Sequence, residues 1–172
     1  MQMRMPAKSL GRIVLSIVLL AAFAAAAPLS AANQGQVPFH ASFATIFQST
    51  LAFPEIHVTV QGVGQADHLG RTATFSNNQV GNLITNQTTA TYTLIAANGD
   101  RVVIQDATTD HLDLGAGTVT FVGTYIVVGG TGRFAGATGG GILVGSARFL
   151  GPGSGIGQFT LNGTISSPGS LK

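Results

Sequence analysis

From about residue 36 onward, apolar and small polar residues alternate with a period of two, and no stretch keeps helical spacing. That pattern constrains the fold more than any other feature. Strand side chains point to opposite faces in turn, so alternation marks strands with one buried side. In Phe39–Phe47 the odd positions are mostly apolar; in Ile56–Val60 the residues Ile56, Val58 and Val60 share a side opposite His57 and Thr59. The same reading groups Tyr92, Leu94 and Ala96, then Val119, Phe121, Tyr125 and Val127, then Phe159, Leu161 and Ile165. Turn signals fall between these runs: Asn98-Gly99-Asp100, the segment Asp113–Gly117, and a connection over 150–157. About eight antiparallel strands are expected. A sheet of that size removes its exposed edges most economically by closing into a barrel; an open sandwich is the alternative.

The first 32 residues are set apart. Arg4, Lys8 and Arg12 precede the unbroken apolar run Ile13–Ala27, and small residues follow up to Ala32. This is the layout of a secretory signal peptide cut after Ala32. The apolar run is shorter than the ~20 residues that span a bilayer. The remaining 33–172 reads as a single β-barrel domain, secreted to the periplasm or beyond. Its charge is nearly balanced: five bases (Arg71, Arg101, Arg133, Arg148, Lys172) against six acids (Glu55, Asp67, Asp100, Asp106, Asp110, Asp113). No basic patch is left to bind nucleic acid. The chain has no Cys, which excludes thiol catalysis and Cys–zinc sites, and no cofactor is expected. The lack of Trp and the presence of only two Tyr speak against a carbohydrate platform or an aromatic cation cage.

The segment 129–141, "GGTGRFAGATGGG", superficially resembles a phosphate loop. A dinucleotide site needs a helix directly after such a loop. Here Gly136, Gly139, Gly140 and Gly141 oppose a helix, and "ILVGSARF" continues as a strand. The glycines therefore belong to a compact turn, with Phe134 folded back over the end of the core and Arg133 on exposed carbonyls or in solvent. Seventeen of the 24 glycines lie at or after Gly115, consistent with a tightly curved wall.

Strand–"GGTGRFAGATG"–strand, followed by "FTLNGTI", resembles the late element of the allene oxide cyclase/dirigent-type barrel superfamily. Residues Gly129, Gly130, Thr131, Gly132, Arg133, Phe134 and Gly136 carry that resemblance, and their role in it is structural. The stretch "GQADHLGRTATF" is similar to an element of small secreted bacterial barrels of this type. The resemblance implies an eight-stranded antiparallel barrel with an apolar cavity, often in a homo-oligomer. Characterised members cyclise an unstable epoxide or steer radical coupling. Their functional residues have no positional counterpart in this sequence.

Candidate chemistry is sparse. Asp67 and His68 are adjacent, so on a strand they would face opposite ways; a polar turn capped by Asp67 is the simpler reading. Arg71 shares parity with Leu69, Ala73 and Phe75, which would turn it toward the lumen, where an anion such as a fatty carboxylate could pair with it; the alternative is a rim position in solvent. Tyr125 is the second proposed lumen residue. Asp106, Asp110, His111 and Asp113 form an acidic stretch without an EF-hand pattern, and polar strand ends often look like this. No histidine pair has metal-ligand spacing, so no metal site is expected. Three functions remain open: a barrel binding a small apolar molecule, a cyclase, isomerase or coupling guide in the same cavity, and a ligand-free interaction module.

Overall fold

The computed structural model describes residues 35–166, without the side chains of 71–74. The leader read from the sequence lies outside the described residues. Eight strands follow one another: β1 (Gln36–Ala52), β2 (Glu55–Ala66), β3 (Gly70–Asn82), β4 (Gln87–Ile95), β5 (Arg101–Asp113), β6 (Thr118–Gly130), β7 (Gly139–Gly151) and β8 (Ser154–Ser166). Each pairs antiparallel with its sequence neighbours, and β1 pairs with β8 to close the barrel. The closed barrel is thus the architecture, and the sandwich alternative falls away.

The alternation read from the sequence faces as expected. Phe39, Ala41, Phe43 and Phe47 on β1 are buried; so are Tyr92, Leu94 and Ala96 around the end of β4, and Phe159, Leu161 and Ile165 on β8. One difference concerns 150–157. Only Pro152 and Gly153 form the turn, and the flanking residues continue the β7 and β8 ladder with Gly151 opposite Ser154. Gly155, on the inner face, is part of the wall. A Cβ there would lie 2.6 Å from the Phe47 ring, so the missing side chain makes room for that ring.

The two ends of the barrel differ. At one end, formed by the β2–β3, β4–β5 and β6–β7 connections, the interior is packed solid. Phe39, Leu94, Val102, Leu161 and Ile165 have no exposure. The β6–β7 connection contains a short 3-10 turn, Gly132–Phe134, that drops Phe134 into the floor at 1% exposure. The motif glycines permit this: Gly132 and Gly136 adopt φ +60 and +69, a region costly for other residues. Arg133 stays outside. It lies 3.5 Å from Asp100 and over the Phe134 ring at 5.1 Å. It therefore caps the plug through a carboxylate and a ring rather than through carbonyls. Thr131 ties the loop to β5, accepting on Oγ1 from the Arg101 N–H.

Above this floor sits a layer of four rings. Phe43 stacks on Phe159 at 5.1 Å, Phe75 meets both edge-on at 5.2 Å, and Tyr92 closes the group 5.8 Å from Phe75. Beyond this layer the interior opens.

Candidate functional site

The open half of the barrel holds a cavity of about 280 Å³ bounded below by Phe75, Tyr92 and Phe159. This is near the lower end of the range for small-molecule pockets, roughly 300–1,000 Å³. Strand periodicity gives it two unlike walls. From β7 round to β2 the lining is mainly apolar, with Leu143, Phe149, Phe47, Val58 and Val60 beside the hydroxyls of Ser146, Thr45 and Ser49. From β3 to β5 come Asn77, Gln79, Thr88, Asp106, Thr108 and Asp110, which are polar. The mouth is ringed by the other four connections. In or beside each lie exposed apolar side chains: Phe53 at 73%, Leu83 and Ile84, Leu114 at 83%, and Leu150 at the end of β7.

The polar wall follows from register. On β5, Val102, Ile104, Asp106, Thr108 and Asp110 all face inward, so one inner row runs from apolar at the floor to polar at the mouth. Asn77 on β3 stands opposite Tyr92 on β4. Asp106 stands opposite Ala90 on one side and Tyr125 on the other. Nearest the mouth, Asp110 is satisfied within the wall. Thr88 Oγ1 donates to it at 2.6 Å and Thr108 Oγ1 at 2.9 Å.

Deeper in, satisfaction stops. Both amide atoms of Asn77 and the Tyr92 hydroxyl are buried without a hydrogen-bond partner, in side chains 6% and 3% exposed. An unpaired buried polar group costs ~1–3 kcal/mol, so such groups are ordinarily satisfied. The Tyr92 hydroxyl lies near enough to influence Asp106, yet closes no hydrogen bond of ordinary geometry on it. Burial pushes the Asp106 carboxyl up to about 7, against smaller downward pulls from Tyr92 and the Ala90 backbone. Burial also raises the Tyr92 phenol, helped by the charge of Asp106.

Of the residues singled out from the sequence, Tyr125 is inside the barrel at 2% exposure. It sits below the cavity rather than lining it, 6.5 Å from the Phe39 ring, with its hydroxyl against Gly163. That hydroxyl also lacks a partner, and burial pushes it up to about 12. The Arg71 side chain lies outside the described residues; its backbone belongs to the floor end of β3, whereas the cavity takes β3 from Phe75 to Asn82. The acidic stretch divides: Asp106 and Asp110 face the cavity, while Asp113 accepts from the Ala116 N–H in a turn. Asp67 and His68 form the β2–β3 turn, as read. Asp67 pairs with His40 across strands at 2.9 Å, which holds its carboxyl below the ordinary value. His68 bonds the Pro38 carbonyl instead. Among the described residues no group of three His, Cys, Asp or Glu could hold a metal.

The residues missed by sequence reasoning are Asn77, Tyr92 and Asp106 acting as one group. For Asp106 a signal was present: it shares parity with Val102 and Ile104. The molecule is thus a closed eight-stranded barrel with one half filled and the other hollow and two-faced. The chain matches no family model, no curated protein and no solved structure.

Proposed function

We propose that this is a secreted binding protein that holds one small, mainly apolar molecule in the open half of its barrel. The observation that carries the reading is the cavity of about 280 Å³ whose inner wall leaves buried polar atoms of Asn77 and Tyr92 unpartnered. A guest supplies the missing partners and fills space against the ring wall. The apolar rim supports the same reading, since an apolar guest enters across it. The late glycine motif supports membership of the allene oxide cyclase/dirigent-type superfamily. Native mass spectrometry of protein purified gently from its own host, followed by denaturation and small-molecule analysis, tests this. A stoichiometric apolar compound is expected. A clean apo mass, together with no uptake of lipophilic probes, would overturn the reading in favour of an interaction module.

One observation favours a second reading, a cyclase or isomerase. Asp106, poised near neutral pH beside Tyr92 and largely buried, suits proton transfer. Incubating the co-purified compound with the protein and with Asp106→Asn tests it. Turnover lost in the variant supports catalysis; an unchanged compound leaves binding alone.

A further inference from the structure

The chemical character of the guest can be narrowed, on the assumption that the cavity binds one. Two carboxyls line the cavity, Asp106 at mid-depth and Asp110 toward the mouth, and among the described residues no Lys, Arg or His does. Above about pH 7, where Asp106 is charged, these two carboxyls make the potential inside negative. Focused in a low-dielectric cleft, it selects by sign of charge. A carboxylate guest would meet both acids, with no base among the described lining residues to pair with. That departs from the anionic guest expected through Arg71.

The unpartnered atoms give the second constraint. Asn77 Oδ1 and the Tyr92 hydroxyl oxygen are unpartnered acceptors, and register on the adjoining strands β3, β4 and β5 groups them with a third acceptor, the Asp106 carboxyl. Asn77 and Tyr92 are more than nine-tenths buried and line the cavity. Three acceptors in a dry niche match the three N–H groups of an ammonium. The third constraint is the ring layer beneath. Phe75 and Phe159 bound the cavity from below, next to these acceptors, and aromatic rings attract cations while burying hydrocarbon. The low count of Trp and Tyr argued against an aromatic cation site. The fold answers that by collecting phenylalanines around this cavity. We infer that the guest is a lipophilic amine, its ammonium head held by Asp106, Asn77 and Tyr92 and its apolar body lying along the ring wall toward the mouth.

Binding of such a guest depends on the charge of Asp106. The groups facing this carboxyl are Tyr92 on β4, Tyr125 on β6 and Asp110 on its own strand. Both phenols keep their protons through neutral pH, since burial raises them. A primary alkylamine stays protonated up to ~10. Asp106 is therefore the group that changes between pH 6 and pH 8. It must lose its proton to hold an ammonium, so amine affinity rises with pH across about 7.

Isothermal titration calorimetry with decylamine, decan-1-ol and decanoate, each at pH 6 and pH 8, tests the inference. Decylamine is expected to bind most tightly at pH 8 and about tenfold more weakly at pH 6. Decan-1-ol should bind with no such dependence, and decanoate most weakly. Asp106→Asn should bring decylamine down to the alcohol's affinity and abolish its pH dependence. The wild-type pH dependence stands as a test even if that variant does not fold. Equal binding of amine and alcohol at both pH values, or preference for decanoate, overturns the amine assignment and leaves the pocket standing. No binding of any of the three overturns the pocket itself.

Discussion

The floor half and the mouth half of the barrel are built from the same eight strands and the same alternation, yet they answer different demands. In the floor half the described inward side chains are tightly buried. Phe39, Leu69, Leu94, Val102, Ile104, Phe134, Leu161 and Ile165 are at most 1% exposed. In the mouth half the inward positions on β3–β5 turn polar, and space is left over. The first arrangement gains stability from burial and close packing. The second gives some of it up, because Asn77 and Asp106 are buried without full compensation. Departures from good packing concentrate where a molecule does its work.

The sharpest way to break this contrast is Phe134→Ala. Removing the plug leaves a hole in the filled half and should cost about 3–5 kcal/mol, a large share of a typical domain's stability. Urea denaturation would read the loss, and ligand affinity in the folded fraction should barely change. A smaller effect comes from pH. Asp106 keeps its proton in the folded barrel up to about pH 7, whereas its ordinary value is 3.8. Between those values the folded state binds the extra proton. Stability from this group is then full below pH 4, declines as pH rises, and is gone above 7. The decline should amount to about 1–2 kcal/mol after screening at the cavity, and Asp106→Asn should remove it from the thermal melting profile. Asp67, lowered by His40, acts in the opposite sense and only on acidification below its ordinary value. Next, Asn77→Leu removes two unpartnered buried atoms at similar volume. It should stabilise by about 1 kcal/mol while weakening any polar-headed ligand; differential scanning calorimetry beside a binding titration shows both. The smallest effect is Arg133→Ala. Its exposed pair with Asp100 and its ring contact are worth less than about 1 kcal/mol. A fall as large as that for Phe134→Ala would mean that the plug is held from outside.

Strand faces were legible in the sequence because parity is a local property. Val119, Phe121, Tyr125 and Val127 needed no partner to be assigned a side. The glycine-rich turn was legible too, since positive φ and the missing helix follow from composition alone. Which glycines are turns was harder. Gly155 looked like part of a connection, but it gives way to Phe47 from a strand distant in sequence. The site was least legible. Asn77, Tyr92 and Asp106 come together only through register across three strands. Sequence shows that Asp106 is on the inner parity; it does not show that a ring layer stops just beneath it.

One consequence of closure remains. Gln36 lies opposite Ser166 in the β1–β8 ladder, so the first and last strands are as much neighbours as any hairpin pair. The order of strands around the ring has no natural beginning. Tying β8 to β1 with a short linker and opening the chain at Asn98–Gly99 would preserve every adjacency. The numbering of this protein is a cut made in a circle, and the cut can be moved.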